Sequence, residues 1–134
     1  MVVFSKKIKF NTKGELDIVD ITHMVEKVVD ESKIKNGIVV VFVPGATGAI
    51  TTIEYEPNLL QDFRDALEEI VPSTKHYRHP INGRSHIRAS LIGPSVSFPI
   101  SDGQVILGTW QQIVFLELDT RPRSRTIIVQ VVGE

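Results

Sequence analysis

The 134-residue chain has no cysteine, and that absence removes a disulfide framework, a thiol nucleophile and any Cys-ligated zinc or iron–sulfur centre. Any metal must be held by nitrogen and oxygen. A net charge of either sign is also missing: 15 Lys plus Arg stand against 16 Asp plus Glu, so no global positive field draws in a polyphosphate backbone. Nucleic acid is not an expected partner. No run approaches the roughly eighteen apolar residues of a membrane span. The opening Met-Val-Val-Phe-Ser-Lys-Lys lacks the apolar stretch and small-residue cleavage site of a secretory signal. The expectation is a cytoplasmic protein with no membrane partner. What is present is an ordinary globular composition, 42% hydrophobic and 23% charged, enough for one core in a single domain over 1–134.

Periodicity predicts an α+β fold with a mixed or antiparallel sheet and two helices. Val2 to Phe10 alternates as a strand. From Asp20 the period turns helical, with Ile21, Met24, Val25, Val28 and Val29 on one stripe, Asp20 or Thr22 as N-cap and Gly37 as the stop. Ile38 to Val43 is a continuous β-branched and aromatic run that predicts a strand buried on both faces. After a strand over Ala49 to Glu54, Pro57 opens a second helix bearing Leu59, Leu60, Phe63, Ala66, Leu67 and Ile70, and Pro72 closes it. Ser73 to Ser85 has no period and holds Pro80 and Asn82-Gly83, which predicts a long loop of the kind that often binds. The remainder reads as strands over Ile87 to Ile92, Val96 to Ile100, Gln104 to Thr109, Ile113 to Leu118 and Thr126 to Val132.

Three of the four histidines, His76, His79 and His86, fall within eleven positions. Imidazole titrates near neutrality and is the commonest transition-metal ligand, so the segment is a candidate for proton transfer or metal binding; solvated loop histidines are the competing reading. If the next stretch is a strand, His86, Arg88 and Ser90 share one face, a donor-rich row suited to a phosphate. A solvent-facing sheet surface accounts for the row equally well. Glu54, at the end of a strand, is a candidate ligand or general base if the histidines lie near it. Pro44-Gly45-Ala46-Thr47-Gly48 has the small residues of a phosphate-cradling loop but not the Gly-Lys-Ser/Thr ending of a P-loop, and a plain turn is the simpler reading. Trp110 is expected in the core, His23 on the surface, and Arg121 to Arg125 in a solvated turn.

Tyr77-Arg78-His79, Asn82, His86-Ile87-Arg88-Ala89-Ser90-Leu91-Ile92-Gly93-Pro94-Ser95, Leu107-Gly108-Thr109-Trp110-Gln111 and the terminal Gly133-Glu134 together resemble the YjbQ family of small proteins. The resemblance spans nearly the whole chain. It implies an α+β fold, a homotrimer with sites near subunit boundaries, histidines that sometimes hold a metal, and a thiamine-phosphate-synthase activity coupling a pyrimidine pyrophosphate to a thiazole phosphate. Carried over position by position, it matches Glu54, His79, Asn82, His86, Ser95 and Gln111 to polar residues shared by relatives. Many relatives have His-Thr-Thr where this chain has Gly45-Ala46-Thr47.

The resulting expectation is an enzyme with His79, His86 and Glu54 as catalytic residues. Asn82, Arg88, Ser90, Ser95, Trp110 and Gln111 would bind a small phosphorylated metabolite, and His79 and His86 would hold zinc or magnesium. The alternative is a non-catalytic trimer that binds a metal or a phosphorylated metabolite.

Overall fold

A computed structural model describes all 134 residues. The chain is α+β, but with three helices and two wholly antiparallel sheets. In chain order the elements are β1 (Val2–Asn11), β2 (Ile18–Asp20), α1 (Thr22–Ser32), β3 (Gly37–Phe42), β4 (Gly48–Ile53), α2 (Pro57–Ile70), α3 (Gly83–Ile92), β5 (Ser95–Ser101), β6 (Gln104–Val105), β7 (Gln112–Glu117) and β8 (Ser124–Gly133).

The larger sheet runs β1-β8-β3-β5-β6 and the smaller β2-β7-β4. The smaller sheet is the middle layer, because β7 is apolar on both faces. Ile113 and Phe115 join the core shared with Val39, Val41, Ile127, Val129 and Val131 of the larger sheet and with Val25, Val28 and Val29 of α1. Val114, Leu116 and Leu118 turn the other way and meet Leu60 and Leu67 of α2 and Ala89 of α3. All five of these β7-segment side chains are fully buried, each worth roughly 1.5–3 kcal/mol relative to exposure.

β3 departs from its expected double burial: Val39 and Val41 are sealed, while Ile38 and Phe42 on the alternate face are 54% and 36% exposed. A run of β-branched residues hides the period-2 alternation that an antiparallel strand needs on only one face. Helix α1 stops four residues before Gly37, at Lys33 in the left-handed conformation (φ 62°). Gly37 instead lets β3 close on β8, where a Cβ would fall 2.0 Å from the Val132 carbonyl oxygen. Helix α2 follows its expected bounds. Pro57 sits in its first turn, and the Glu56 carboxylate accepts from the N–H groups of Asn58 (2.6 Å) and Leu59 (3.1 Å).

The largest revision falls where the histidines are. Gly83 to Ile92 is helix α3, not loop followed by strand. Apolar Ile87, Ala89 and Leu91 suggested alternation, yet Ala89 is the only one of them that is buried; Ile87 and Leu91 are 43% and 66% exposed. The strand expected over Gln104 to Thr109 contracts to Gln104–Val105.

Candidate functional site

Helix α3 begins where Tyr77 folds back. Its hydroxyl donates to the Pro72 carbonyl (2.6 Å), and its Cβ lies 2.6 Å from where a Cβ on Gly83 would sit, with the His79 Cβ 3.6 Å from the same point. Only a residue without a side chain permits this approach. His79 is thereby set beside the first turn of α3, and His86, one turn further along the helix, meets it edge to face, with ring centroids 4.8 Å apart and planes at 72°. The two rings, with Lys75, His76, Arg78 and Ile87, line an open cleft of about 600 Å³. His79 is exposed and His86 half-buried.

Helical geometry dissolves the expected row of donors. His86 and Ser90, four residues apart, share the outer face of α3, whereas Arg88 lies about 200° round from His86 and points inward. Arg88 is fully buried. Its Nε donates to the Val71 carbonyl (3.2 Å), Nη1 to Glu15 (3.2 Å), and Nη2 to Glu68 (3.0 Å) and again to Val71 (2.7 Å). Every nitrogen is engaged, so Arg88 fastens α3 to α2 and offers nothing to a ligand. Ser73 donates to Glu68 through both its hydroxyl and its N–H. These bonds, ahead of Arg88, hold the Glu68 carboxyl below the usual carboxylate range. Arg84 adds a two-pronged bond to Glu15 (2.6 and 2.8 Å), which raises its own pKa further.

The other expected residues fall in separate places. Glu54 lines a different depression of about 380 Å³ with Asp20, Tyr55, Glu56 and Trp110, away from the histidine cleft. Trp110 is not core; it is 70% exposed. Gln111 clasps its own turn, accepting from the Gly108 N–H (3.0 Å) and donating to the Thr52 hydroxyl (3.2 Å). Ser95 is exposed at the start of β5, opposite Phe42. No three His, Asp or Glu side chains converge as a metal cage would require. His79 and His86 offer two nitrogens, short of the three protein ligands of a catalytic zinc site.

A second polar centre was not expected. Arg125, assigned by its neighbours to a solvated turn, is 5% exposed and pairs with fully buried Glu117: Nε donates to Oε1 (2.8 Å) and Nη2 to Oε2. Thr12 also donates to Glu117 (2.9 Å). Asp119 accepts from Arg123 and from the Thr47 hydroxyl (3.5 Å). Burial alone would raise the Asp119 carboxyl, but the Thr120 N–H, Arg123 and Asn82 outweigh it and hold the group below its ordinary value. The signal was in the alternation: Arg125 is in phase with Ile127, Val129 and Val131, and Glu117 with Ile113 and Phe115, so both charges occupy inward positions.

Comparison with known proteins agrees with this architecture. A family model described as UPF0047 protein YjbQ-like matches residues 6–134. The chain belongs to the YjbQ-like UPF0047 family. A UPF0047 protein of Methanothermobacter thermautotrophicus is 42% identical over 137 residues, covering 100% of this chain and 95% of that one. The UPF0047 protein YugU of Bacillus subtilis is 30% identical, covering 96% and 98%. Among solved structures, a YbjQ-like protein of unknown function from Sulfolobus solfataricus superposes with a TM-score of 0.96 at 34% identity, covering 99% of both chains. A YjbQ/UPF0047 family protein from Clostridium acetobutylicum gives 0.90 at 36%, covering 95% and 99%. The UPF0047 fold is thus shared over essentially its full length. No helix of this member is long and apolar enough to cross a membrane.

Proposed function

We propose that this UPF0047 chain is a cytoplasmic small-molecule enzyme of thiamine-phosphate-synthase type, acting on phosphorylated precursors at the head of α3. The observation that carries the reading is the His79–His86 pair, two imidazoles 4.8 Å apart at the mouth of an open cleft. In the coupling, a carbon–nitrogen bond forms at the thiazole nitrogen as the carbon–oxygen bond to pyrophosphate breaks, and the bonding electrons leave with the pyrophosphate. Charge gathers on that leaving group. An imidazolium beside it supplies a proton or a positive charge where it develops. Ser90 shares the outer face of α3 with His86, and Asn82 stands just before the helix.

A divalent ion, zinc or magnesium, would take His79 and His86 as two of its ligands and supply Lewis acidity. Within one chain the donor set is incomplete, so no step is routed through it. A homotrimer would bring further donors to the cleft. Association is supported by the bare outer face of the larger sheet, where Val3, Ile38 and Phe42 are exposed and Val132 lies in register between Val3 and Ile38.

The test is a coupled assay with the pyrimidine pyrophosphate and thiazole phosphate. Replacing both His79 and His86 with Ala is expected to lower turnover about 100-fold or more. Turnover unchanged in the double variant contradicts the assignment. The second reading, a trimer that binds a phosphorylated metabolite without catalysis, is favoured by Gly45, which leaves no imidazole where the family resemblance implies one. Saturable ligand binding with no product from the wild-type protein would select it.

A further inference from the structure

The loop between β3 and β4 carries hydrogen-bond donors that the chain leaves unused. The N–H groups of Gly45, Ala46 and Thr47 are three in succession, and none has a backbone or side-chain acceptor. Water reaches the exposed Gly45 and Ala46, but Thr47 is 7% exposed. One nitrogen of Arg125 is likewise without an acceptor. Its Nε and Nη2 are spent on Glu117, the Thr47 carbonyl (3.2 Å) and the Thr47 hydroxyl (3.0 Å). Nη1 has no acceptor within the chain and is not closed off from solvent. Nη1 faces the loop: a Cβ built on Gly45 would lie 3.9 Å from it and within 4 Å of nothing else. These donors meet only solvent, so an anion can take them without displacing a bond within the chain.

The loop is shaped for close approach. Gly45 has φ +117°, in the region that favours glycine, and a Cβ on Gly48 would fall 2.7 Å from the Phe115 ring and 3.6 Å from the Arg125 Cζ. Phe115 supports the guanidinium from behind, its ring centroid 5.5 Å from Cζ. Successive N–H groups beside a fixed guanidinium are the donor set that binds oxyanions. Glu117 already neutralises Arg125, and Asp119 stands nearby on Thr47, so the gain comes from oriented donors more than from net charge. We propose that the N–H groups of Gly45, Ala46 and Thr47 and Nη1 of Arg125 form a cradle for the phosphate or pyrophosphate group of the substrate. Its place in the reaction rests on the phosphorylated-precursor reading above. The cradle takes over the role that the sequence assigned to Arg88.

The test is an amide ¹H–¹⁵N spectrum of the full chain titrated with inorganic pyrophosphate. The Gly45, Ala46 and Thr47 signals are expected to shift saturably. Ala46→Asp, an exposed change that introduces a repelling carboxylate, is expected to weaken binding about tenfold or more, while Ala46→Gly retains it. Loop signals that stay still, that drift without saturating, or that respond equally in A46D overturn the cradle. Saturable loop shifts without turnover in the coupled assay would leave the cradle standing and remove the synthase reading. Turnover with pyrophosphate shifting signals elsewhere would do the reverse.

Discussion

Arg88 and Arg125 are both almost wholly buried and both paired with carboxylates, yet they differ in one respect. All three nitrogens of Arg88 have acceptors, from Glu15, Glu68 and Val71. Arg125 keeps Nη1 free and directs it at a loop whose own donors are free. A saturated buried arginine is a fastener, since any ligand would have to displace bonds already made. An unsaturated one has a vacancy that an anion can fill. Arg88 knits α3 to α2, whereas Arg125 sits under the loop between β3 and β4.

The comparison can be strained first through stability. Glu117→Ala leaves Arg125 buried without its carboxylate and is expected to cost about 3–5 kcal/mol in urea denaturation. Arg88→Met is expected to cost less, about 3 kcal/mol, because the carboxylates it abandons, Glu15 and Glu68, are 23% and 43% exposed and regain water. A larger loss for R88M than for E117A would invert the ranking. The smallest effect concerns pH. The Asp119 carboxyl is depressed in the folded state, so its contribution to stability is complete above its unfolded pKa and disappears as pH falls through the folded value, below about pH 4. Melting curves of Asp119→Asn across that range are expected to fall less steeply with acid than those of the wild type. Equal slopes would separate Asp119 from the acid response.

Much of the fold could be read from alternation and caps. β1, α2 and β8 lie close to their expected bounds because Pro57, Pro72 and strict period-2 patterns mark them. α3 was missed because a helix of ten residues with Ile87, Ala89 and Leu91 at alternate positions satisfies the strand template, and Asn82-Gly83 imitates a hairpin turn. Gly83 is there for the close approach of Tyr77, a tertiary reason invisible to local propensity. The error carried Arg88 with it, since inverting the period moved that side chain from a presumed surface row to the interior. His79 and His86 come together, but Glu54 does not join them, because β4 delivers it to the depression beside Trp110. The Glu117–Arg125 pair was overlooked for a different reason: three arginines between Arg121 and Arg125 look like a solvated run until Arg125 is placed in phase with Ile127.

The most direct measurement is the calorimetric affinity of pyrophosphate for the wild type, Arg88→Met and Arg125→Lys side by side. If the phosphate belongs to Arg125, R125K binds about tenfold more weakly or worse, while R88M stays within about twofold of the wild type. Affinity lost in R88M and kept in R125K would contradict the account.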